Sequence, residues 1–308
     1  MKSNINREQM ELFRDYLENE KRYSSHTVET YSVTLIQFMT FLEETKQRNC
    51  LDADSQDIAN FLAHLKSARH LKRISQLNRL SGLNTFYRFL RKRGIIDRNP
   101  CEGTGGRIKA EKKLPVFLSL REAELFLSFL EERYTKDQTF LHARDRALFE
   151  FLYSTGLRVG EVVHIQVGDL NYVQKTVKVL GKGEKERVVP FNQSAFQVLQ
   201  DFFAFRRPKP EVKEIFLNYR QEPLTTRGVR TILRSILLEI DLKKPISPHT
   251  FRHSFASHFL SGGADLRMVQ EALGHSSLST TQIYTHLDWE KMKNIYDLAH
   301  PRSRKKED

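Results

Sequence analysis

Ser247-Pro248-His249-Thr250-Phe251-Arg252-His253, followed by Leu273-Gly274-His275-Ser276-Ser277 and then Ile283-Tyr284, is the stretch on which the reading of the whole chain depends. Ser247 before Pro248 reads as a helix start: a hydroxyl that can cap, then a proline where a missing N–H costs nothing. Such a start puts His249 and Arg252 in the first turn and on one face. Gly262-Gly263 ends that helix, Asp265 is placed to cap a second, and Gly274 ends the second in turn. His275 then falls on a turn, and Ser279 is placed to cap a short third helix carrying Tyr284 and His286. Helix starts and turns aim backbone N–H groups outward, an arrangement suited to a phosphate. Two imidazoles, a guanidinium and a phenol at such positions make a candidate active site for phosphate chemistry.

Working upstream, Thr176–Leu180 and Glu186–Pro190 are β-branched arms around Gly181-Lys182-Gly183-Glu184-Lys185, the one clear strand–turn–strand signal. Before it, a helix from Leu141 to Ser154 ends at Thr155-Gly156-Leu157-Arg158-Val159-Gly160-Glu161, where a glycine breaks the helix and another begins. Ser119 is placed to cap a helix through Glu131, and helices return at Ser194–Arg206 and Thr226–Ile240. The first hundred residues are helical throughout. Apolar stripes recur at helical spacing in Gln9–Asn19, in Tyr31–Leu42, after Asp54-Ser55, and in Leu71–Arg93, where Ile74, Leu77, Leu80, Leu83, Phe86, Tyr87 and Leu90 form one face. Gly94 and Asn99-Pro100 terminate this last helix. The glycines, charges and proline that follow, without apolar periodicity, read as a linker. The fold class is therefore mainly α with a small β-hairpin, in two domains: 1–105, a linker at 106–116, and 117–308.

The net charge of +12 is unevenly spread. Between Lys66 and Lys113 fourteen basic residues face three acidic ones, Asp97, Glu102 and Glu111, so one segment holds nearly all the excess. Charge concentrated in this way is the footprint of a polyanionic partner. The two cysteines, Cys50 and Cys101, are far apart and belong to no zinc or disulfide pattern. No apolar run reaches the ~20 residues of a membrane span and no signal-peptide pattern is visible, so a cytosolic location is expected. His249 and His253 have zinc-helix spacing, but Thr250 stands where such a site needs glutamate.

The boundary residues Arg158, Lys182, His249, Arg252, His275 and Tyr284, in the phrases quoted above, resemble the signature of the tyrosine recombinases, and whole phrases are similar to the Xer-type branch. The resemblance runs over nearly the entire chain. It implies a helical core-binding domain (SAM-like) followed by a mixed α+β catalytic domain, the two forming a clamp on double-stranded DNA. It also implies cleavage and rejoining through a 3′-phosphotyrosyl intermediate, with no cofactor, metal or ATP. In this reading Arg158 and Arg252 grip the non-bridging phosphate oxygens, since a guanidinium donates bidentately where a lysine cannot. His275 adds a hydrogen bond. Tyr284 is the nucleophile, a phenol that needs nearby cations to act as an oxyanion. Lys182 is the general acid for the leaving 5′ oxygen, with Lys185 an alternative, and His249 assists proton transfer or positions the phosphate. The resemblance further implies a homo- or hetero-tetramer on DNA, with a second Xer-type recombinase as the partner of the hetero-tetramer, a DNA translocase as activator, and a role in chromosome or plasmid dimer resolution at a dif-like site. The segment Tyr296 to Arg302 is similar to a tail that Xer proteins pass to a neighbouring protomer. A mobile-element integrase, a type IB topoisomerase and a catalytically silent DNA-binding protein are the competing readings.

Overall fold

The structure, a computed structural model, describes residues 2–69, 71, 73–103, 116–181, 186–273, 293 and 295–302. The chain forms two compact units, Met1–Lys113 and Leu114–Asp308.

The first unit is built from α1 (Lys2–Asp15, continued by a π-helical turn Tyr16–Glu20), α2 (Ser25–Lys46), α3 (Ser55–Arg69) and α4 (Arg73–Lys92). Ser24 caps α2 by accepting the Thr27 N–H, and Gly94, at φ +69°, closes α4 in the left-handed conformation that glycine adopts without strain. Phe13, Leu35, Phe38, Phe61, Leu83, Phe86 and Leu90 meet in its core. Two inward assignments are corrected: Ile74 is 65 % exposed, and Leu77 is only partly buried while Gln76 lies inside. The Gln76 amide donates to the Leu71 carbonyl at 3.0 Å, which satisfies a carbonyl at the α3–α4 junction and turns the first stretch of α4 away from a simple apolar stripe.

The second unit holds α5 (Leu120–Lys136), α6 (Phe140–Thr155), the one-turn α7 (Val159–Val162), β1 (Leu170–Asn171), β2 (Thr176–Leu180), β3 (Glu186–Pro190), α8 (Gln193–Phe203), α9 (Thr226–Glu239), α10 (Pro248–Ser261) and α11 (Leu266–Leu273). A capping box between Ser119 and Glu122 starts α5. The strands form an antiparallel sheet in the order β1-β2-β3, with Val179 opposite Arg187 and Leu180 opposite Glu186. The hairpin limits coincide with those expected from the β-branched arms; β1 is too short to leave such a signal. The core gathers on α6, whose residues from Ala147 to Thr155 are all buried.

Phe251 of α10 joins Phe126 and Phe149 in a ring triangle, with centroids 5.1 Å and 5.3 Å from Phe251. This anchors the start of α10 and leaves the opposite face of its first turn open. The cap differs in detail from expectation: Thr250 Oγ1 accepts the Ser247 N–H at 3.0 Å, while the Ser247 hydroxyl pairs with Thr250 Oγ1. Asp265 caps α11 as expected, accepting the Arg267 N–H. Among the described residues no helix is long and apolar enough to cross a membrane.

Candidate active site

Gly156 ends α6 at φ +62°, and a Cβ there would lie 2.3 Å from the Phe255 ring. The glycine thus lets the α6–α7 connection lie directly on α10. Its carbonyl accepts Arg252 Nη1 at 2.9 Å, and the Leu273 carbonyl, at the end of α11, accepts Arg252 Nη2 at 2.6 Å. Three elements therefore fix one guanidinium. Burial first, then the charges of Arg158 and Arg187, push the Arg252 pKa down to about 10, with Glu161 opposing; the group stays cationic at neutral pH.

Arg158 occupies the N-cap position of α7, two residues beyond Gly156. Its backbone N–H and Nη1 both donate to Glu161, at 2.8 Å and 3.0 Å. Glu161 also accepts a bidentate pair from Arg187 of β3, at 3.0 Å and 2.9 Å. Burial pushes the Glu161 carboxyl up, but Arg187 and then Arg158 outweigh it and hold the carboxyl below its ordinary value. His249, in the first turn of α10, is held low by partial desolvation and then by the charges of His253, Arg252, Arg230 and Arg158, so it is neutral near pH 7.

The structure thus brings Arg158, His249 and Arg252 within electrostatic reach of one another, across sequence gaps that only the fold closes. Lys182, His275 and Tyr284 lie outside the described residues, as do Lys185, Gly274, Ser279 and His286. Three further residues went unassigned in the sequence. Arg187 shares a strand face with buried Val189, and a charge on an inward strand face is a signal for a buried partner. Glu161 is that partner. Arg230 lies on α9 with Arg227 and Arg234, all exposed and at helical spacing on one face. Among the described residues no group of His, Cys, Asp and Glu is arranged to hold a metal ion.

Residues 295–302 seat on their own unit: the Tyr296 hydroxyl lies 2.8 Å from both Ser154 Oγ and the Ser154 carbonyl. Arg302 pairs with the buried Glu150 at 3.1 Å and 2.9 Å, and His300 is 1 % exposed. The reason is polar satisfaction: α6 presents a buried carboxylate, hydroxyl and carbonyl that this segment's side chains complete.

The sequence profile of the phage integrase family matches residues 116–291, and that of the phage integrase N-terminal SAM-like domain matches residues 10–94. The chain is 41 % identical over 294 residues to the tyrosine recombinase XerC of Leptospira interrogans, covering 95 % of this chain and 93 % of that protein. It is 39 % identical over 299 residues to the tyrosine recombinase XerC of Pelobacter propionicus, covering 96 % of each. Among solved structures, the Tn1549 transposon integrase in complex with transposon right end DNA superposes with a TM-score of 0.71 at 18 % identity, covering 94 % of each chain. The XerH recombinase bound to its difH substrate superposes with a TM-score of 0.65 at 24 % identity, covering 93 % of this chain and 82 % of that one. These two structures share the fold.

Proposed function

The chain belongs to the phage integrase family and is a site-specific tyrosine recombinase, and we propose that it cuts and rejoins duplex DNA through a covalent bond between Tyr284 and a 3′ phosphate. The observation that carries the assignment of roles is the fixed guanidinium of Arg252, braced by two carbonyls beside Arg158 and His249. A phosphodiester resists attack because its own charge repels nucleophiles, so donors preorganised on its non-bridging oxygens supply much of the catalysis. Arg252 spends two N–H groups on carbonyls and keeps others for phosphate; Arg158 likewise has donors left beyond Glu161.

The Tyr284 oxygen would attack phosphorus as the 5′ oxygen leaves, with Lys182 giving that oxygen its proton. The reverse reaction, with a 5′ hydroxyl of another strand, rejoins the backbone. The phosphotyrosyl ester conserves the bond, so no external energy source is required. His275 would donate to the phosphate, and neutral His249 can both accept and donate a hydrogen bond there. The basic stretch Lys66–Lys113 and the exposed arginines of α9 would neutralise flanking phosphates, giving strongly salt-dependent binding. The identity to XerC proteins supports chromosome or plasmid dimer resolution at a dif-like site, in the cytoplasm, by a tetramer that can include a second Xer-type recombinase and respond to a DNA translocase.

The test is incubation with a nicked, labelled duplex carrying a Xer-type core site, in which cleavage traps the intermediate. A protein–DNA adduct on a denaturing gel in wild type and none in Tyr284→Phe is expected. DNA retarded on a native gel without an adduct, even after a second Xer-type recombinase is added, would overturn the catalytic reading.

A further inference from the structure

Glu161 is unusual among the charged groups here in holding two guanidiniums at once. Arg187 grips both carboxylate oxygens, at 3.0 Å and 2.9 Å, whereas the Arg158 side chain touches one, at 3.0 Å. The Arg187 and Glu161 side chains are 15 % and 10 % exposed, while Arg158 is 42 % exposed. The bidentate pair is therefore the inner, more desolvated one, and Arg158 is the outer, more exposed group.

A lone carboxylate beside a phosphate-binding arginine carries a cost. It orients the guanidinium, but it also cancels its charge, and in a partly desolvated site it can capture both donor arms of a fork-shaped partner. We propose that Arg187 is a positioning residue that neutralises Glu161, so that Glu161 orients Arg158 without taking its charge or its second donor arm away from the phosphate. Arg187 acts through Glu161 and touches no reacting atom. The same link ties β3, one arm of the hairpin whose loop carries Lys182, to the helix start that carries Arg158. The proposal rests on the recombinase reading only for what the phosphate belongs to; the electrostatic balance is a property of these three side chains.

A bracing role for Arg187 and a charge-balancing role predict opposite behaviour in a double variant. If Arg187 only braces β3 against α7, removing Glu161 as well cannot restore what Arg187→Gln lost. If it balances charge, Glu161→Gln removes the unbalanced carboxylate and restores Arg158. Covalent-complex formation on the nicked duplex and binding of tungstate, a phosphate-shaped dianion, are measured for wild type, Arg187→Gln, Glu161→Gln and the double variant. Arg187→Gln is expected to slow covalent-complex formation by about 100-fold, the scale for one lost oxyanion donor, and to weaken tungstate binding. The double variant is expected to return to the level of Glu161→Gln alone in both readouts. A double variant no better than Arg187→Gln overturns the proposal. Should Arg187→Gln fail to fold, Arg187→Lys keeps the charge and is expected to retain tungstate affinity; its loss also overturns the proposal. A wild type that binds tungstate but forms no adduct, even with a second Xer-type recombinase added, overturns the catalytic reading alone, and the tungstate series still decides the role of Arg187.

Discussion

The Gly156 carbonyl and the Arg252 guanidinium, ninety-six residues apart in the chain, are joined by a 2.9 Å hydrogen bond at the point where α6 ends. The glycine serves three ends at once. It supplies the left-handed residue that terminates α6, it lets the Phe255 ring lie against the backbone, and its carbonyl holds the Arg252 guanidinium.

Gly156→Ala therefore strikes stability and activity together. A Cβ 2.3 Å from Phe255 Cδ1, on a residue at φ +62°, forces the ring or the backbone to move. Left-handed strain and overpacking together should cost about 2–4 kcal/mol. The expected result is a lower melting temperature and slower covalent-complex formation, because the displaced carbonyl no longer fixes Arg252. A variant that melts as wild type does would show that α10 has room to shift.

Arg252→Lys keeps the charge and loses the planar fork. One ammonium cannot hold the Gly156 and Leu273 carbonyls and still present two parallel donors to phosphate. Covalent-complex formation should fall by about 100- to 1,000-fold, while retardation of DNA on a native gel changes far less, because many other cations contribute to binding. Equal losses in both assays would mean that Arg252 serves binding rather than the reacting phosphate.

How much of this was legible beforehand differs by element. The hairpin is legible to its limits, because two short β-branched arms close around the turn signal Gly181-Lys182-Gly183. The start of α10 and the glycine that ends α6 were legible too, as both rest on local chemistry. Arg187 is legible only in part: its place on the face of Val189 signals a buried partner, but Glu161 is twenty-six residues away and nothing local names it. Ile74 was misplaced because periodicity alone cannot tell that Gln76 serves a carbonyl at the same turn. The in-chain seat of Tyr296 was equally invisible, since Ser154 on a buried helix gives no sign of the hydroxyl it receives.

Arg302→Ala probes that seat. Glu150 is 3 % exposed and Arg302 is its partner through two hydrogen bonds. Removing one member of a buried pair leaves an uncompensated carboxylate, a loss of about 3 kcal/mol. Part of it is recoverable by protonation, since burial already raises the Glu150 pKa against the opposing charge of Arg302. Amide hydrogen exchange at 295–299 should accelerate, while α6 amides stay protected. Unchanged exchange at 295–299 would show that Tyr296 and His300 hold the segment unaided.

His300 makes the same seat sensitive to acid. Its Nδ1 faces the Arg302 N–H at 3.2 Å and the Asn192 amide nitrogen at 3.4 Å, both donors, so Nδ1 accepts and the proton resides on Nε2, toward the Tyr153 carbonyl at 3.4 Å. A second proton on Nδ1 would face those donors in a buried site. Burial, which outweighs the bond to Tyr153 and is reinforced by the charges of Arg302 and His258, pushes the pKa from 6.5 down to about 3. The sign follows from linkage: above pH 6.5 the ring is neutral in both folded and unfolded chains and contributes no pH dependence. As pH falls below 6.5 the unfolded or released segment takes up a proton that the seated one refuses, so the seat weakens by about 1.4 kcal/mol per pH unit until about pH 3. His300→Gln should be less stable at neutral pH, having lost the imidazole's fit, yet its denaturation midpoint should fall less steeply as the solution is acidified below pH 6.5. Parallel slopes for the two chains would mean that another group, with His258, whose pKa burial also lowers, foremost, carries the acid sensitivity of this seat.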